Sequence, residues 1–199
     1  MDVAALVLYV VWAVLAFGWR TVEQYHRTGD SGLRLHAERG TAQWWAKIGF
    51  AVAIVVGFAA PIAAVAGLDQ VSVLNRTWLH VAGVTVTVTG IVLTVVAQRS
   101  MGESWRIGVD ATERTDLVTG GAFRWARNPI FTAMLTTATG LAMMIPNLVA
   151  LAGLASLGAA LEAQVRLVEE PYLLRTHGDR YRSYARTVGR FTPGIGRLN

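Results

Sequence analysis

The chain contains no cysteine. Disulfides, thiol nucleophiles and thiolate metal ligands are therefore excluded. Its four histidines, at positions 26, 36, 80 and 177, are scattered without ligand spacing, so no metal is expected. Charge is scarce as well. Charged residues make up 16% of the 199 positions and hydrophobic ones 53%, whereas soluble domains carry about 25% charge. So little charge would leave a soluble surface poorly covered, which directs attention to membrane spans. No lysine follows Lys47. Usage rich in alanine, valine and arginine points to a GC-rich bacterial genome, and so to a bacterial plasma membrane.

Four hydrophobic blocks are present: Val3–Trp19, Ile48–Leu68, Trp78–Gln98 and Ile130–Leu161. The last runs 32 positions without a charge. At about 1.5 Å per residue it would overshoot a bilayer core of about 30 Å. Pro146-Asn147 supplies a turn in its middle, because proline breaks the helical hydrogen-bond ladder. The block reads as a hairpin of two short spans, Ile130–Ile145 and Leu148–Leu161. The expected fold is thus an all-α membrane protein with five transmembrane helices. Residues 1–97 hold three spans; residues 98–199 hold a loop, the two-span hairpin and a tail.

Basic residues set the orientation. Segments 20–47, 69–77, 99–129, the Pro146 turn and the tail from Glu162 carry 5, 1, 5, 0 and 7 of them. Cytoplasmic loops are the basic ones, which places the N-terminus outside and the tail in the cytoplasm. The net charge of +5 then belongs to the anionic lipid surface rather than to nucleic acid. The first block has Asp2, no basic leader and no small-residue cleavage site, so it reads as a retained span rather than a signal peptide. The alternation "VTVTVT" at Val84–Thr89 suits a strand. A membrane barrel needs many such segments, however, and helical threonines bond to the preceding turn. Rows of small residues, Ala152, Ser156, Ala160 and Ala155, Ala159, Ala163, suit close helix packing within the chain.

Two polar stretches face the same side. In "GGAFRWARNPIF", Gly120–Phe131, Asn128 is a favoured N-cap and Pro129 a favoured first helical residue. A helix start exposes free N–H groups and partial positive charge. With Arg124 and Arg127 within a turn, an anionic group would bind there. Gly120-Gly121 would let a ligand approach the backbone. In the tail, Glu162, Arg166 and Glu169 or Glu170 share a helix face and suit ion pairing. Pro171 should interrupt that helix. Carboxylates in one stretch, an anion site in the other and aromatics between them suit a ligand with both carboxylate and amine plus an aromatic base, such as S-adenosylmethionine.

The motifs "LVTGGAFRWARNPIF", "EEPYLL" and "HGDRYRSYARTVGRFTPG", in that order, resemble the isoprenylcysteine carboxyl methyltransferase family, within the small integral-membrane methyltransferases that include phospholipid methyltransferases. The likeness runs from about Gln98 to Gly194. The family's histidine falls on Asn128, its tyrosine on Phe131 and its proline on Ala122. The resemblance implies S-adenosylmethionine as cofactor and a lipophilic acceptor entering sideways from the bilayer, an isoprenylcysteine-like carboxylate among the candidates. It implies cofactor contacts from Gly121, Phe123, Arg127, Asn128, Phe131, Glu170 and Tyr184. Glu169, Arg190 and Arg124 would serve the reacting groups, with the site facing the cytoplasm.

Overall fold

The computed structural model describes residues 1–108 and 116–198. Arg114, one of the counted arginines, lies outside the described residues. Helix α1 (Asp2–Ala13) passes through a π-turn, Val14–Trp19, into α2 (Arg20–Thr28), which ends at Gly29 with φ 73°. Helix α3 (Ala42–Val65) starts at Thr41, whose hydroxyl accepts from the Trp44 N–H at 3.2 Å. Helix α4 (Thr77–Met101) ends at Gly102, and α5 (Pro129–Met144) turns at Pro146 into α6 (Leu148–Gln164). A second π-turn, Val165–Glu169, leads into α7 (Glu170–Thr187).

Among the described residues, four helical stretches are long and apolar enough to cross a membrane: Asp2–Thr28, Ala42–Val65, Thr77–Ser104 and Leu148–Thr187. The fifth expected span, α5, is also apolar but shorter. Val84–Thr89 is helical. Thr87 and Thr89 each donate to the carbonyl four residues back at 2.8 Å, which satisfies the hydroxyls without a strand.

Packing runs in pairs, α5 along α4 and α6 along α3, with α1 against α3. Glycine makes the α4–α5 seam close. A Cβ on Gly90 would sit 2.5 Å from the Thr137 nitrogen, and one on Gly140 2.3 Å from the Thr87 nitrogen. On α6 the buried positions are Ala150, Gly153, Leu157, Ala160, Leu161 and Gln164. Of the two small-residue rows expected to pack, only Ala160 is buried, while Ala152 and Ala155 are exposed. The stripe is set by the close approach of Gly153 to Gly57 rather than by alanine spacing. A Cβ on Gly153 would sit 3.2 Å from the Gly57 nitrogen.

The helix ends gather into two groups. At one end Asn147 is fully buried, donates to the Ala60 carbonyl at 3.2 Å and caps α6, and Val71 N–H donates to the Pro146 carbonyl at 2.8 Å. At the other end lie the described parts of all three arginine-rich segments. There Arg20 donates to the Gly102 carbonyl at 2.6 Å, Gln24 to the Glu103 carbonyl at 2.7 Å, and Leu33 and Ile107 form a parallel bridge.

One local expectation is corrected. Pro171 does not interrupt the tail helix. The π-turn before it takes the Glu170 N–H back to the Val165 carbonyl five residues earlier. A widened turn accommodates a proline that a regular helix interior would not. The break comes instead at Gly178, with φ 51° and ψ −124°, a conformation that favours glycine.

Candidate active site

A cavity of about 1070 Å³ opens at the arginine-rich end. Its polar wall comes from Arg106, Asp116, Arg127, Asn128, Gln164 and Glu169, and the rest is largely apolar and aromatic. Two stretches distant in sequence build that wall together. The segment before α5 pairs with the tail through Arg127 N–H to the Gly189 carbonyl at 2.8 Å and Asn128 N–H to the Arg190 carbonyl at 3.0 Å. Tyr184 hydroxyl donates to the Phe123 carbonyl, and Thr132 hydroxyl to the Phe191 carbonyl, both at 2.6 Å. Gly178 breaks α7 so that Tyr181 and Tyr184 return under the approach to α5.

Of the ten candidate residues, Phe123, Arg127, Asn128, Phe131, Glu169 and Tyr184 line the cavity. Glu170 and Arg190 stand behind it. The Glu170 carboxylate is buried and takes Arg190 through both oxygens, at 2.8 and 3.0 Å, and Arg127 at 2.9 Å. This bidentate contact raises the Arg190 guanidinium above its ordinary pKa. Arg127, only 5% exposed, also donates to the Tyr181 hydroxyl at 2.9 Å and the Gly196 carbonyl at 2.6 Å. Glu170 is thus saturated by two cations, while Glu169 takes the Gln164 amide at 3.2 Å and faces the cavity. The pairing expected along one helix face occurs for Glu162 and Arg166 alone; neither tail carboxylate joins it, since the π-turn rotates them away.

Gly121 and Arg124 are exposed and do not line the cavity. Gly121, with φ 57°, approaches Ser100, whose hydroxyl would lie 2.7 Å from a Cβ there. The diglycine therefore admits the end of α4 rather than a ligand. Asn128 stands at the N-cap position of α5 but makes no side-chain cap. Its amide donates instead to the Arg190 carbonyl at 3.0 Å, because the tail lies where the first helical turn would otherwise be reached. The Asn128 side chain thus leaves the N–H groups at the start of α5 uncapped, and the buried Arg127 Nε has no hydrogen-bond partner among the described residues.

Several contributors gave no sequence signal as site residues. Ala16, Phe17 and Gly18 of the first π-turn line the cavity, as do Leu33, Leu35 and Trp44. The buried Gln98 amide donates at 2.8 Å to the Ala16 carbonyl. Arg20, expected as a lipid-side flank, is 3% exposed and lies 5.1 Å over the Trp105 ring. Arg20 and Gln24, four residues apart, are both buried, as such groups are only when paired.

The sequence profile of the phospholipid methyltransferase family matches residues 78–180, more than half of the chain. No curated protein sequence matches it. Among solved structures, the eukaryotic intramembrane Ras methyltransferase ICMT (isoprenylcysteine carboxyl methyltransferase), solved without a monobody, is similar. The TM-score is 0.64 at 21% identity, over 96% of this chain and 67% of that one. The likeness is one of fold.

Proposed function

Because the chain belongs to the phospholipid methyltransferase family, we propose that it transfers a methyl group from S-adenosylmethionine to a lipophilic acceptor, an isoprenylcysteine-like carboxylate being one candidate. The observation that carries this reading is the backbone pairing of residues 126–128 with 189–190. It holds the start of α5 and the cavity-facing Glu169 on one polar wall, with an apolar chamber beside them.

The donor set fits such a cofactor. The uncapped start of α5 and the unpartnered Arg127 Nε offer N–H groups to a carboxylate. Glu169 offers its charge to an ammonium or sulfonium, and Tyr181, Tyr184 and Phe123 supply ring faces. When bound, S-adenosylmethionine supplies an electrophilic methyl on a sulfonium. The chain's own part is to orient and to exclude water. Arg127 is fixed by Tyr181, Gly196 and Glu170, so its direction is set before any ligand arrives. Asn128 ties the tail to α5 and keeps the wall closed. Phe131 contributes a ring without a hydroxyl. Glu170 and Arg190 act in this reading as the clamp that positions Arg127, rather than as ligand contacts.

Orientation follows from the arginine alternation: five spans, the N-terminus outside, and the site at the cytoplasmic face. A lipophilic acceptor reaches it from the bilayer.

Thermal-shift titration of the detergent-purified chain tests the proposal. S-adenosylhomocysteine at about 100 times its Kd should stabilise by about 2.7 kcal/mol. A shift with NADPH alone would point to a reductase built on the same fold. Stabilisation by neither would mean a chain that keeps the fold without the activity.

A further inference from the structure

Three residues of α4 line the cavity: Thr94, Gln98 and Met101. At spacings of four and three they share one helical face. Thr94 and Gln98 are polar and buried, in a helix long and apolar enough to cross a membrane. A buried polar group is costly unless its hydrogen-bonding atoms find partners. Thr94 meets this demand within its own helix. Its hydroxyl donates to the Gly90 carbonyl at 2.8 Å, so toward the cavity its oxygen can only accept.

Gln98, 4% exposed, meets only half of it. Its Nε2 donates to the Ala16 carbonyl at 2.8 Å. That bond also fixes the sense of the amide, because a carbonyl there accepts only from the NH2 end. The Oε1 takes no hydrogen bond from any described residue and stays open to the cavity. Ala16, which holds the amide, and Phe17 beside it are apolar liners from the first π-turn. The groups assigned above to the cofactor lie within residues 123–184; the Gln98 oxygen belongs to another helix and is anchored to α1's continuation. Gln98 and Thr94 thus present acceptors and no donor. Such a pair suits a hydrogen-bond donor and disfavours a carboxylate or phosphate.

We propose that Gln98 is a specificity-determining residue for the methyl acceptor, its Oε1 taking a hydrogen bond from an uncharged N–H or O–H carried beside the acceptor's hydrocarbon chain. This rests on the function proposed above. The Ala16 contact fixes the oxygen before any ligand arrives, and the Thr94 oxygen, one turn away, supplies a second acceptor. The apolar neighbours disfavour a charged donor. An analogue without the donor leaves the Oε1 dry and unpaired, and its rejection follows from that.

The test measures binding to the full chain in phosphatidylcholine nanodiscs, corrected for uptake by empty nanodiscs. The probes are N-methylpalmitamide, which has one N–H, and N,N-dimethylpalmitamide, which has none. The parent chain should prefer the first by about tenfold or more. Gln98→Met keeps the length of the side chain and removes the oxygen, so the two probes should bind it nearly equally; this also controls for the extra methyl. Gln98→Glu, assayed at about pH 5.5 where a buried carboxyl is neutral, can donate to the Ala16 carbonyl and present a C=O, and should keep the preference. A parent without preference, or Gln98→Met with the preference undiminished, overturns the proposal. If Gln98→Met does not fold, Gln98→Glu decides, and equal binding there overturns it. S-adenosylhomocysteine titration runs in parallel. Its stabilisation should be the same in Gln98→Met as in the parent; a loss would assign the oxygen to the cofactor and overturn the proposal. Probe preference without any S-adenosylhomocysteine stabilisation in the parent would sink the methyl-transfer reading and leave the Gln98 subsite standing.

Discussion

Glu169 and Glu170 are neighbours in different surroundings: Glu169 faces the cavity and Glu170 stands behind it. Glu170 is buried between Arg127 and Arg190. Its removal strands two guanidinium groups, and breaking a buried pair from one side is strongly destabilising. Glu170→Ala should lower unfolding stability by about 3 kcal/mol, seen as a lower Tm with or without ligand. Glu169→Gln keeps the shape and the Gln164 neighbour, so stability should move by no more than about 0.5 kcal/mol, while S-adenosylhomocysteine stabilisation falls. If Glu169→Gln binds normally, the cavity-facing role assigned to it is wrong. The sequence marks both carboxylates as important but cannot divide the work. They are adjacent, identical and set among arginines, and only the π-turn decides which faces inward.

Single helical turns determine the site more than whole helices do. Gly178, at φ 51° and ψ −124°, sends the chain back so that Tyr181 meets Arg127 and Tyr184 meets Phe123. A side chain there is strained by about 1–3 kcal/mol. Gly178→Ala should weaken S-adenosylhomocysteine stabilisation and expose the tail to protease, while the helical circular dichroism signal is retained. A variant that binds as tightly as the parent would show that the break is dispensable. The helices themselves were legible from length and hydropathy: the hairpin at Pro146 and the grouping of arginine-rich ends both follow from apolar runs and charge. The apolar wall was not. A residue facing lipid and a residue facing an apolar cavity carry the same side chains, so Phe17, Ile48 and Phe50 read as ordinary span residues. The capping role given to Asn128 failed for a related reason, since the Arg190 carbonyl that claims its amide comes from far along the chain.

The two ends of the bundle are built on different terms. Along α4 and α5, Gly83, Gly90 and Gly140 bring backbones so near that an added Cβ would come within 2.8 Å of a neighbouring atom at each. The opposite end holds the cavity, two π-turns and connections secured by a few long-range hydrogen bonds. Local opening is easiest where apolar contact is sparse. Hydrogen exchange should therefore be slowest at amides around Gly90 and Thr137 and faster at residues 16–19 and 30–37. Uniform protection along α1 through α5 would contradict this.

The tight α4–α5 seam has a mechanical meaning. Helices locked backbone to backbone along one line cannot slide there, so they can only splay. Any breathing between these two helices must swing about that line like a pair of tongs held at the rivet.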